Sequence, residues 1–225
     1  MSDGWITADW PAPPNIVAGT VLRQGRLEDR NLSGEPCWLQ QVHGAGVVVA
    51  TRFEQPPEAD AAISRSPGNI CVVRTADCLP VLLCASNGTE VAAVHAGWRG
   101  LAAGVIEATI ARLQHAPDEL LVWLGPAISQ AAFEVGDEVR AAFVGQESDD
   151  ARHFVANSRG RWQADLYGLA SSRLRRLGMA SIAGGGFCTY TDRARFFSYR
   201  RNPDCGRMVS FVAIKTLENT RAGAI

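Results

Sequence analysis

The sequence predicts an α/β fold: a single domain with helices packed on a mixed β-sheet. Three observations carry this expectation. Short apolar runs bounded by glycine, proline and other turn residues recur along the chain. These strand-like runs outnumber the helical patterns, and their hairpin-like spacings favour a mixed sheet over a doubly wound parallel one. At 225 residues the chain has ample material for the core of one domain, taken as 1–225.

Taken in order, Trp10-Pro11-Ala12-Pro13-Pro14 reads as an extended lead-in. Residues 38–42 are expected as a strand, Gly44-Ala45-Gly46 as a turn and residues 47–50 as the partner strand. The same grammar returns at residues 70–73, a turn over 75–78, and residues 81–84. A third strand over 91–95 leads into a helix over 101–114, one face of which is marked by Leu101, Val105, Ile106, Thr109, Ile110 and Leu113. Residues 120–124 form a buried strand stopped by Gly125-Pro126, and a short helix follows Gly136 with Asp137 as its cap. Asp165 precedes a longer helix closed by Gly178, and strands return at 196–199 and 208–214.

Nearly half the residues are apolar (47%) and a fifth are charged (20%), an ordinary globular balance. A net charge of −1 argues against a chain built to coat nucleic acid, while leaving room for small anions at local basic clusters. Arg173/Arg175/Arg176, Arg193/Arg195 and Arg200/Arg201 are such clusters, although runs of this kind are more often solvated faces. No signal-peptide pattern and no membrane-spanning apolar run is visible, which places the protein in the cytoplasm. There the six cysteines stay reduced rather than forming a disulfide framework.

The stretch Val94-His95-Ala96-Gly97-Trp98-Arg99-Gly100 carries the most chemistry. His95, Cys78 in Ala76-Asp77-Cys78-Leu79-Pro80 and His43 in Gln41-Val42-His43-Gly44 each follow an apolar segment and adjoin a turn signal. Two imidazoles and a thiolate suit Zn²⁺ and leave its fourth position open, although no short zinc-motif spacing links them. With equal economy Cys78 fills a core and the histidines are turn residues, or Cys78 and His95 form a nucleophile–base pair. Asp60 and Asp77 stand near enough in sequence to orient a ligating histidine; a plain turn carboxylate explains Asp60 as well. Gly97-Trp98-Arg99-Gly100 opens a helix, where Arg99 and the helix end can hold an anion, or the glycines simply form a turn.

Those segments resemble the YfiH-like family, also called laccase-domain or peptidoglycan-editing-factor proteins. The resemblance extends through Gly125-Pro126-Ala127-Ile128, Phe133-Glu134-Val135-Gly136, Phe197-Ser198-Tyr199-Arg200-Arg201 and Gly206-Arg207, from about Trp38 onward. It implies a YfiH/cytotoxic-necrotizing-factor-like fold and a metal, usually zinc, on His43, Cys78 and His95. It also implies a zinc-dependent purine nucleoside phosphorylase acting on adenosine, inosine, guanosine and methylthioadenosine, with adenosine deaminase activity. The partners would then be a nucleoside and phosphate. Arg99, with Arg200 and Arg201, would bind the anion, Asp77 would move protons, and Arg23 would match the family's functional arginine. Other members are described as copper polyphenol oxidases or as editors of peptidoglycan precursors. The editor reading makes Cys78 an amide-attacking nucleophile with His95 as base. The oxidase reading, with Cu²⁺ for Zn²⁺, must work with four histidines in the whole chain. A metal-binding protein without catalysis is the non-enzymatic alternative. One departure is visible: the R-x-G-G-V-S and S-L-N-L segments usual ahead of Q-V-H-G are shortened here to Leu22-Arg23-Gln24-Gly25 and a brief stretch to Trp38.

Overall fold

A computed structural model of the chain describes residues 4–215. The outermost positions of the expected 1–225 domain, 1–3 and 216–225, lie outside the described residues. In chain order the strands are β1 (Trp5–Thr7), β2 (Ile16–Val21), β3 (Gly34–Cys37), β4 (Val47–Val49), β5 (Ala61–Ser64), β6 (Gly68–Thr75) and β7 (Leu79–Ala85). They continue as β8 (Val91–Ala96), β9 (Leu120–Leu124), β10 (Glu134–Val135), β11 (Phe154–Ala156), β12 (Trp162–Ala164), β13 (Ser181–Gly184) and β14 (Met208–Ile214). The α-helices are α1 (Trp98–Ala102), α2 (Val105–Ile110), α3 (Asp137–Val144) and α4 (Leu166–Arg176).

The α/β class and the mixed strand pairing are as expected, but the strands divide among three sheets. One runs β1-β2-β14-β6-β3, one β13-β9-β7-β8-β5-β4, and a small one β10-β12-β11. In the two large sheets parallel pairs (β3 with β6, β4 with β5, β13 with β9) sit beside antiparallel ones. Side-chain alternation explains the layering. Leu82, Cys84, Val91, Ala93 and Trp123 on one face of the six-stranded sheet pack with Cys71, Val73, Val212 and Ile214 of the five-stranded sheet. Val81, Leu83, Ala92 and Val94 on the other face pack with Leu101, Val105, Ile106, Leu169 and Leu174 of the helices. Strands β7 and β8 are therefore covered on both sides, and each large aliphatic side chain buried there stabilises the fold by about 1.5–3 kcal/mol. Among the described residues no helix is long and apolar enough to cross a membrane.

Several elements differ from expectation for identifiable reasons. Residues 38–42 are not a regular strand; β3 ends just before them, and β4 pairs in parallel with β5. The turn over 75–78 closes no hairpin, because β6 and β7 belong to different sheets. The helix expected over 101–114 is split into α1 and α2 by Gly104, whose φ of +86° a right-handed helix cannot contain. Asp137 is the first residue of α3 rather than its cap, and its carboxylate accepts the Trp162 Nε1–H at 2.6 Å. Asp165 does occupy the N-cap of α4, without a side-chain capping bond. Residues 196–199 are not a strand but a turn region pinned by side chains, described below.

Candidate metal centre

Asp60, the residue before β5, is fully buried and organises the centre. Its carboxylate accepts three consecutive backbone N–H groups, from Val42 (3.2 Å), His43 (2.9 Å) and Gly44 (2.7 Å). It also accepts the Nδ1–H of His95 at 2.7 Å, so Nε2 remains as that ring's free nitrogen. Burial alone would raise the Asp60 carboxyl; the bonds from His95 and the loop outweigh it and hold the group below the ordinary carboxylate range. One carboxylate thus fixes the loop that carries His43, at φ +60°, and the imidazole at the end of β8.

Cys78 enters from the start of β7, after Asp77 at φ +93°. Its Sγ lies 4.0 Å from His43 Nε2, and the two histidine rings meet edge to face with centroids 4.8 Å apart. The three donor atoms lie within 4.8 Å of one another. A shared centre is therefore at most about 2.8 Å from each, close to the roughly 2.0–2.3 Å of zinc–ligand bonds. Burial pushes the Cys78 thiol up, but the two imidazoles overcompensate and bring it down to about 6. Burial likewise lowers His95, while Asp60 and the Cys78 sulfur raise it to about 9. Gly97 completes the cradle: a Cβ there would stand 2.8 Å from Cys78 Sγ and 3.2 Å from His43 Cδ2. An N₂S donor set, an outer carboxylate on one imidazole and a glycine-cleared space together fit a divalent metal.

The triad opens into a cavity of about 700 Å³. Trp98, Phe133 and Tyr199 contribute aromatic wall, and Arg74, Arg99, Arg200 and Arg207 contribute guanidinium groups. Arg99 rests 4.5 Å over the Trp98 ring, and Arg200 lies 5.5 Å over Phe133 while donating to Glu134 O. Two of the three expected anion-binding residues, Arg99 and Arg200, therefore line this cavity.

Three further residues singled out in the sequence sit as follows. Arg201 does not line the cavity, and its guanidinium donates to the carbonyls of Thr189, Tyr190 and Phe196 at 2.7–2.8 Å. Arg23 is exposed, donates to Arg193 O and lies over Phe197, and does not line this cavity. Asp77 does line it, but its carboxylate accepts Thr189 Oγ1–H (2.6 Å), Ser198 Oγ–H (3.0 Å) and the Arg200 N–H (2.7 Å). That carboxylate therefore ties the turn over 198–200 to the residue next to Cys78. Sequence reading gave no role to Arg74, Arg207 or Tyr199, although Tyr199 and Arg207 lie in segments that carry the family resemblance. The clustering of Asp60 with His43 had one usable signal, the short carboxylate-bearing Ala59-Asp60-Ala61 before an apolar strand.

Residues 21–215 match the family model described as multi-copper polyphenol oxidoreductase laccase. A purine nucleoside phosphorylase of Pseudomonas aeruginosa is 46% identical over 239 residues, covering 93% of this chain and 98% of that protein. Purine nucleoside phosphorylase YfiH of Escherichia coli is 50% identical over 237 residues, covering 92% and 97%. Both alignments are longer than this chain's 225 residues, so these relatives hold residues with no counterpart here. Among solved structures, Neisseria meningitidis protein NMB0706 superposes with a TM-score of 0.90 at 38% identity, covering 95% of this chain and all (100%) of that one. YlmD from Geobacillus stearothermophilus gives a TM-score of 0.88 at 24% identity over 96% and 98%, a likeness of fold alone.

Proposed function

Starting from the fact that this chain belongs to the YfiH-like, laccase-type family, we propose that it is a metal-dependent purine nucleoside phosphorylase. The substrates proposed are adenosine, inosine, guanosine and methylthioadenosine, with adenosine deamination as a second activity. The observation that supports this most is the Asp60-oriented set of His43, Cys78 and His95 at a cavity lined with guanidinium groups. Relatives named as purine nucleoside phosphorylases at 46–50% identity support purine nucleosides as the substrate class.

A divalent ion on His43, Cys78 and His95, zinc in the first instance, would supply Lewis acidity beside the reacting atoms. The protein's own part is positional and electrostatic. Asp60 holds the proton on His95 Nδ1, which keeps the Nε2 lone pair directed away from it. Arg99 and Arg200 hold and neutralise phosphate, while Trp98 and Phe133 limit water around it. In phosphorolysis a phosphate oxygen bonds to the ribose anomeric carbon as the bond to the purine nitrogen breaks, and the departing base is protonated. Asp77 acts as a positioning residue, holding the turn that carries Arg200. The cytoplasm is the compartment proposed, where unpaired thiols such as those of Cys37, Cys71 and Cys84 persist.

One observation favours a second reading. A thiol brought to about 6 beside two imidazoles is also a competent nucleophile, as an amide-hydrolysing editor of peptidoglycan precursors would need. The multicopper reading has less support, because His115 and His153 are engaged elsewhere, with Glu90 and Ser172. The test is to incubate metal-loaded protein with adenosine, with and without phosphate, and separate the products. Adenine and ribose 1-phosphate formed only with phosphate are expected, and inosine would report deamination. No product, together with a trapped acyl adduct on Cys78, would replace the phosphorylase with the hydrolase.

A further inference from the structure

Arg74 and Arg207 form a second feature of the cavity wall that the triad does not explain. Arg74 on β6 is in register with Val209 of β14, and Arg207 stands two residues before Val209, next to Met208 where the ladder begins. Alternation along paired antiparallel strands places the two arginines on one face as diagonal neighbours. Both line the cavity, and both are exposed.

Like charges in that relation repel unless something negative lies with them. Among the described residues no carboxylate does so: the ion pairs involve other arginines. The Arg74 guanidinium makes a long bond to Leu39 O (3.3 Å), and that of Arg207 donates from Nη1 to Cys205 O (2.7 Å) and Gly206 O (3.1 Å). With five N–H donors on each guanidinium, most remain for a ligand. Both groups are also held in place. Arg207 lies 5.7 Å over the Tyr199 ring and Arg74 5.9 Å from that of Trp38. Gln41 clamps the Arg74 backbone, donating from Nε2 to its carbonyl (2.9 Å) and accepting its N–H at Oε1 (2.8 Å). Since Gln41 precedes His43 by two residues, the same clamp ties this arginine to the metal-site loop.

We infer that Arg74 and Arg207 form a binding site for a phosphate dianion, separate from the positions of Arg99 and Arg200. Two fixed guanidiniums match the charge of one such group and offer it paired N–H donors. Its source is either free inorganic phosphate or the ester phosphate of a nucleoside 5′-phosphate. The assignment of those two ligands rests on the phosphorylase reading; the site itself rests on the arginines.

The experiment is calorimetric titration of the full-length, metal-loaded protein with inorganic phosphate, with AMP and with adenosine as the uncharged control. Arg74→Gln and Arg207→Gln are each expected to weaken phosphate or AMP by about ten-fold or more, as loss of a charge-assisted contact does. Adenosine affinity should stay within about two-fold, and Arg207→Lys should recover part of the loss through its retained charge. Weakened inorganic phosphate identifies the free anion as the source; weakened AMP with unchanged phosphate identifies the ester. The inference is overturned if neither ligand weakens, if the unaltered protein binds neither, or if adenosine weakens as much. No turnover is needed, so a protein that binds phosphate through these arginines but cleaves no nucleoside keeps this site and loses only the phosphorylase reading.

Discussion

The carboxylate of Asp60 joins His95 to His43: it accepts the His95 Nδ1–H at 2.7 Å and the His43 backbone N–H at 2.9 Å. Two candidate ligands far apart in sequence are therefore positioned by one buried side chain. Asp60→Ala is expected to lower zinc affinity by about 10–100-fold, the usual cost of losing such an outer partner. Because it also strands buried N–H donors, it should destabilise the fold by about 3 kcal/mol. A chelator-competition titration checks the first figure and urea denaturation the second; unchanged zinc affinity would remove Asp60 from the metal site.

Gly97 offers a sharper separation of metal binding from folding. Its φ of −63° suits any residue, so the obstacle to Gly97→Ala is the new methyl against Cys78 Sγ and His43 Cδ2. The substitution is expected to cost at most about 1–2 kcal/mol of stability, as modest overpacking does. Zinc affinity should nevertheless fall by about ten-fold or more, because the sulfur must rotate out of place. Competition titration and a thermal melt of the same preparation would show both.

Metal uptake should release protons in a pH-dependent number. Cys78 is a thiolate above about 6, and His95 stays an imidazolium up to about 9, so the metal-free centre holds the His95 proton between those values. Binding requires both groups deprotonated. From Cys78 and His95 together, about one proton should leave near pH 7.5, rising towards two below 6 and falling towards none above 9, in addition to any proton carried by the His43 ring. Titrating zinc calorimetrically in buffers of different ionisation enthalpy counts them; a pH-independent count would contradict the coupled pair.

The neighbouring arginines 200 and 201 should behave differently. Arg201→Ala removes the donor to three backbone carbonyls and is expected to cost about 2–3 kcal/mol in urea denaturation. Arg200→Ala, on an exposed side chain at the cavity, should change stability by no more than about 0.5 kcal/mol while raising the KM for phosphate. Equal effects on both readouts would mean that the two side chains share a role.

The convergence of His43, Cys78 and His95 was legible as one of several readings, because each lies where an apolar run meets a turn; the family resemblance, not the spacing, favoured a metal there. The same local signals located β6, β7, β8, β9 and β14. They could not tell which strands pair. Residues 70–73 and 81–84 read alike as buried strands, yet the turn at Asp77 sends one into each large sheet. The splitting of α1 from α2 hung on Gly104, a residue a helix tolerates at modest cost and whose φ no pattern reveals. Arg74 and Arg207 meet only through the β6–β14 ladder, so nothing local announced them. Arg201 next to Arg200 looked like an anion-binding pair, because sequence does not show that one of two adjacent guanidiniums turns inward to backbone carbonyls.

The most direct test measures metal content and phosphate-dependent adenosine cleavage on the same preparations of the native chain and of Cys78→Ser. The expected result is about one bound zinc per native chain, as a three-ligand site with one open position takes. Both zinc and adenine release should be lost together in the variant. A variant that still cleaves adenosine at the native rate without bound metal would contradict a reaction centred on His43, Cys78 and His95.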